Sequence, residues 1–141
     1  LLLEGGRLVV NTLSPVGERY QGSLFYDLVN QAKRRLTVTM AHELRPRGVA
    51  VVGVAPGFMR TERVLDHFGV AADGWRGVPA LEKTESPEYT GRVVAALAAD
   101  PGVLERSGSV YETGELARAF GVTDVDGRRP PPFSELHPEL Y

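Results

Sequence analysis

Two short apolar runs separated by one long helical period set the tightest condition on what this chain can fold into. Residues 49–54 are continuously apolar and residues 7–11 mostly so, and both runs are too short for helices. They read as strands buried on both sides of a sheet. Between them, over 24–44, the apolar positions Phe25, Leu28, Val29, Ala32, Leu36, Met40 and Leu44 recur at helical spacing. Arg45-Pro46-Arg47-Gly48 stops that helix with a proline and a glycine. A strand, a helix and a strand with tight connections form a βαβ unit, which requires the two strands to run parallel.

The remainder extends the pattern. Gly5-Gly6 reads as a turn before the first strand, and Ser14-Pro15 with Gly17 as the loop after it. Residues 58–85 hold Gly69, Gly74, Gly77, Phe68 and Trp75 without clear period, and read as an irregular lid over the carboxyl end of the second strand. Ser86-Pro87-Glu88 opens a second helix over 87–99, which stops near Asp100-Pro101-Gly102. A third strand falls at 109–113, and one or two helical turns at 115–120. The expectation is an α/β fold with a doubly wound parallel sheet, in the order βαβαβ, as a single domain over 1–141. Residues 127–141, with Pro130, Pro131 and Pro132, are expected to be extended and strapped across the surface.

Composition bounds the function. With 141 residues, 43% hydrophobic and 24% charged, the chain has enough material for one packed core. A formal net charge of −2 argues against nucleic-acid and anionic-membrane partners. The absence of cysteine removes disulfides and thiolate metal sites and leans the chain toward the cytoplasm. His42, His67 and His137 lack ligand spacing, so no metal is expected, and Asp124-Val125-Asp126-Gly127 lacks the other ligands of a calcium loop. The first residue is Leu and strand-like sequence begins almost at once, which reads as a piece whose beginning lies elsewhere.

Ser14 follows a strand and Tyr26 opens the next helix, the place where an open α/β sheet builds its site. Alone they are weak signals. Four further pieces stand in order: the strand ending in Ser14, Ala41-His42-Glu43-Leu44 with Gly48-Val49-Ala50-Val51, Pro56-Gly57-Phe58-Met59-Arg60-Thr61, and Phe120-Gly121-Val122-Thr123-Asp124-Val125-Asp126-Gly127. Together they resemble the carboxyl-terminal half of the short-chain dehydrogenase/reductase family, and so imply a partial Rossmann-like sheet.

The resemblance implies roles residue by residue. Ser14 would hydrogen-bond a substrate carbonyl or alkoxide, and Tyr26 would give and take its proton. Pro56, Gly57 and Thr61 would hold the nicotinamide of NAD or NADP. The substrate would be a small carbonyl compound or alcohol, and the protein a homo-oligomer. Two departures stand against this. The family places a lysine four residues after the tyrosine, where this chain has Asn30. A free phenol titrates near pH 10, so ionising it at neutrality needs ~4 kcal/mol. A full charge one helical turn away supplies roughly 3 kcal/mol of that at an effective dielectric near 20. Asn30 carries no charge, and Lys33 lies two turns along. In addition, no Gly-rich phosphate turn follows a strand and opens a helix. The expectations are therefore an oxidoreductase that is weak or inactive as this chain, or a truncated, non-catalytic oligomeric module derived from one.

Overall fold

The computed structural model describes residues 7–17 and 19–141. The turn expected at Gly5-Gly6 lies outside them. Three strands, β1 (Leu8–Thr12), β2 (Ala50–Ala55) and β3 (Val110–Glu112), form one sheet in the order β1-β2-β3. Both pairings are parallel, with Leu8 opposite Ala50 and Gly53 opposite Val110. The helices are α1 (Leu24–Leu44), α2 (Glu62–Phe68), α3 (Pro87–Ala99), α4 (Thr113–Phe120) and the single turn α5 (Phe133–Leu136). The expected partial Rossmann-like α/β sheet is what forms. Among the described residues no helix is long and apolar enough to cross a membrane.

β2 is the centre of the molecule, and every one of its residues is buried. Ala50, Val52 and Val54 meet Tyr89, Val93 and Leu97 of α3 together with Leu116 and Ala117 of α4. Gly53 has to be glycine, because a Cβ there would lie 2.7 Å from Val110 Cγ2 and 3.1 Å from Leu13 Cδ2. α3 starts as its sequence predicts, with Ser86 Oγ accepting from Tyr89 N at 3.2 Å and Pro87 in the first position.

Three expectations are corrected. The first concerns α1, whose apolar period, taken as one amphipathic face, points to burial on the sheet. The residues of α1 that are buried are instead Asn30, Thr37 and Ala41. Phe25, Leu28, Val29 and Leu36 are exposed, Phe25 to 77%, and only Met40 and Leu44 are half-buried. Backbone and side-chain polar groups around β1 need partners, and the polar stripe of α1 supplies them: Asn11 Nδ2 donates to Thr37 Oγ1 at 3.0 Å. The apolar stripe is left on the outside.

The second concerns residues 58–85, which are not irregular throughout. Thr61 Oγ1 accepts from Val64 N and starts α2, and Gly69 closes it at φ +65°. Leu65, Trp75 and Leu81 make a small core of their own with Val64, Val70 and Val78.

The third is the tail, which is not extended throughout: beyond the prolines, Phe133–Leu136 forms a helical turn and Pro138–Leu140 a 3₁₀ turn. The tail does strap across the molecule. Tyr89 Oη donates to Pro130 O at 3.2 Å, Ser134 N to Glu112 Oε2 at 3.0 Å, and Tyr141 Oη to Glu112 Oε1 at 2.7 Å.

The strap crosses α4 at Gly114, where a Cβ would lie 2.7 Å from Pro131 C and 2.8 Å from Pro132 Cα. Helix propensity alone would make Gly114→Ala stabilising by ~0.5–1 kcal/mol. The close backbone reverses the sign, and the substitution should destabilise by about 1–3 kcal/mol in chemical denaturation. A raised midpoint would show that the strap does not press on α4.

Candidate functional site

The loop leaving β1 is held almost wholly by side chains of α1. Asn30 Oδ1 accepts from Ser14 N at 2.8 Å, and Asn30 Nδ2 donates to Tyr26 O at 2.9 Å. Arg34 Nη2 donates to Ser14 O and Pro15 O, each at 2.9 Å, and Gln31 Nε2 donates to Gly17 O. The Ser14 hydroxyl donates to Gln21 Oε1 at 2.9 Å. Asn30 is 4% exposed. It ties the serine loop to the helix that carries the tyrosine.

This loop forms one wall of a cleft of about 450 Å³ at the carboxyl ends of β1 and β2. Thr12, Ser14, Tyr26, Asn30, Pro56 and Gly57 line it, together with Met59 and Lys33. Five of the six residues singled out from sequence thus meet in one place. Tyr26 is half-exposed at its mouth. Thr61, the sixth, does not line this cleft: it caps α2 and borders a neighbouring depression with Arg60 and Trp75.

Two buried groups behind the second wall were not found from sequence as site residues. Arg60 reaches Thr84 Oγ1 at 3.2 Å, pairs with Asp124 Oδ2 at 3.4 Å and stacks on Trp75, 4.0 Å from the ring centre. Asp124 also accepts from Ser86 N at 2.9 Å and from Ser86 Oγ, joining the carboxyl-terminal stretch to the start of α3. Glu85 is the second. It is 2% exposed, and its Oε1 accepts from Gly57 N at 3.1 Å and Thr90 Oγ1 at 3.3 Å. Burial pushes its carboxyl up to about 7, against the opposing bonds from Thr90 and Gly57. The neighbouring Tyr89 phenol is pushed up to about 12, first by burial and then by Glu85 and Asp124. In sequence, Glu85 looks like one more polar residue before a Ser-Pro helix start.

The cleft suits the nicotinamide end of a dinucleotide in one respect. Gly57 brings its backbone to the wall, while the space a Cβ would take lies within 3.3 Å of Glu85 Oε2 and is needed by that side chain. The cleft suits the phosphates poorly, since among the described residues that line it Lys33 is the only cation.

No family model matches the chain. The mouse protein dehydrogenase/reductase SDR family member 1 is 37% identical, over 91% of this chain and 43% of its own length. A double mutant of the Serratia marcescens short-chain dehydrogenase/reductase superposes with a TM-score of 0.58 and 29% identity, covering 74% of this chain and 43% of that one. The NADPH-bound short chain oxidoreductase of Pseudomonas aeruginosa, which contains an atypical catalytic center, gives a TM-score of 0.61 at 20% identity with the same coverage. This chain therefore spans less than half the length of the relatives it matches. Over nine-tenths of its length the chain is similar to a short-chain dehydrogenase/reductase, and its parallel sheet with flanking helices is the corresponding part of that family's Rossmann-like fold.

Proposed function

We propose that the protein is an NAD(P)-dependent oxidoreductase interconverting an alcohol and a carbonyl compound, and that this chain supplies the substrate-side walls of the site. The observation that carries this reading is the cleft itself. Ser14, Tyr26, Pro56 and Gly57 come from separate segments and line one space at the carboxyl ends of parallel strands. In this reading Tyr26 holds and moves the proton at the reacting oxygen. Ser14 donates to that oxygen once a substrate displaces Gln21 from its hydroxyl. The Pro56-Gly57 wall orients the carboxamide, and Thr61 acts indirectly by starting α2 behind it. The nicotinamide, when bound, supplies the two-electron redox chemistry.

A second reading, a non-catalytic oligomeric module, is favoured by two observations. Asn30 brings no charge to the tyrosine, and both ends of its amide are engaged with Ser14 N and Tyr26 O. The outward stripe of α1 is also unusual, with Phe25, Leu28, Val29 and Leu36 in solvent. Covering each such side chain is worth ~1.5–3 kcal/mol, and a second copy meeting this stripe about a two-fold axis would do so. The two readings are compatible where this chain builds the pocket walls and does not turn over substrate by itself.

Nicotinamide mononucleotide, which needs no pyrophosphate cradle, is the sharper probe. At millimolar concentration it should shift the amide resonances of Gly57 and Tyr26, whereas shifts confined to other surfaces would contradict the cleft assignment. NADH or NADPH followed by nicotinamide fluorescence should show neither micromolar binding nor turnover, and Asn30→Lys alone should restore neither. Micromolar binding with turnover would overturn the module reading. In sedimentation at micromolar concentration the chain should run heavier than its 15.3 kDa monomer. A stable monomer would mean that the α1 stripe is tolerated in water.

A further inference from the structure

Glu85 grips the whole segment that follows β2. Its side chain takes Gly57 N, its own N donates to Phe58 O at 3.0 Å, and Arg60 N donates to its carbonyl at 2.8 Å. Met59 faces it across an isolated parallel bridge. Residues 57–60 are therefore all registered on one residue, and two of them, Gly57 and Met59, line the cleft. The main-chain bonds would form with any residue at position 85. What glutamate adds is a buried carboxylate that accepts from the N–H of Gly57, a residue lining the cleft, at a desolvation cost an amide would not carry.

We propose that Glu85 is a positioning residue for the cleft, setting the Pro56-Gly57 wall through Gly57 N, and that loss of its charge loosens that wall. The groups acting on it are few. Arg60 from the same segment favours the charge, as does the Thr90 hydroxyl of α3, which is itself bonded to Thr113 of α4 at 3.2 Å. Asp124 from the carboxyl-terminal turn opposes it, and Tyr89 of α3 stays neutral beside it. Asp126 and Arg128 lie one step further out, on Arg60 and on each other. With a midpoint of about 7, the grip on Gly57 changes within the neutral range. An ionised Glu85 holds the N–H in a charge-assisted bond, and a neutral one holds it weakly enough for a ligand carbonyl to compete.

The relevance to cofactor binding rests on the oxidoreductase reading, but the grip on Gly57 can be measured without it. In a ¹⁵N-labelled full chain titrated between about pH 5.5 and 8.5, the Gly57 amide resonance should move with a midpoint near 7. In Glu85→Gln it should not move. Thr90→Val removes a bond that favours the charge, so the midpoint should rise; this variant decides the matter even if Glu85→Gln fails to fold. Nicotinamide mononucleotide affinity should change about threefold to tenfold across the same range, the worth of one hydrogen bond, and be flat in Glu85→Gln.

Stability supplies an independent sign. The folded carboxyl binds its proton more tightly than the unfolded one at 4.5, so its stabilising contribution is full below 4.5 and is lost as pH rises to about 7. The Tm of the wild type should fall relative to Glu85→Gln over that window. A Gly57 resonance that does not titrate, or that titrates unchanged in Glu85→Gln, overturns the proposal. A Gly57 resonance that follows Glu85 while the mononucleotide fails to bind supports the grip and sinks the cofactor reading instead.

Discussion

The structure depends on how α1 satisfies the loop that leaves β1. A strand end at the site must present its backbone to a cleft, so the Ser14, Pro15 and Gly17 carbonyls and the Ser14 N–H cannot pair within the sheet. Asn30, Gln31 and Arg34 meet them from one stripe of the helix. Leaving such groups buried and unpaired would cost about 1–3 kcal/mol each. That requirement outranks the hydrophobic pattern of α1. The polar stripe turns inward, the apolar stripe is left facing out, and Tyr26 is delivered to the mouth of the cleft by the same rotation.

The opposite wall is set by a different device. The segment after β2 is registered on Glu85, and Arg60 of that segment is buried against Asp124 and Trp75. Asp124 in turn holds Ser86, where α3 begins. A buried ion pair of this kind is weak evidence for stability, because desolvation offsets much of the attraction. Its effect here is geometric. It fixes the start of α3, the base of the α2 region and the carboxyl-terminal turn relative to one another, and so fixes the wall that Gly57 presents.

Much of this was legible in the residues. The strands fell within a residue or so of their observed bounds, α1 and α3 span what their periods indicated, and Ser86-Pro87 marks a real helix start. The two βα connections sufficed to bring Ser14, Tyr26, Pro56 and Gly57 to one end of the sheet. The sense of α1 was not legible, since hydrophobic periodicity finds a helix but carries no record of backbone carbonyls on a neighbouring loop. α2 was missed because seven residues between a Thr cap and Gly69 offer barely two turns of pattern. The cap that Thr61 forms on α2 consequently had no signal in the sequence. Glu85 had no signal, because what matters about it is burial.

Asn30 is a structural tie between the serine loop and the tyrosine helix. Amide hydrogen exchange at Ser14, compared between the wild type and Asn30→Ala, tests it directly. Removing the Asn30 carbonyl should lower the protection of the Ser14 amide by about tenfold or more, the equivalent of one lost bond of ~1.4 kcal/mol, while Val52 and Val54 in β2 keep theirs. Unchanged protection at Ser14 would contradict the account, since the loop would then be held without Asn30.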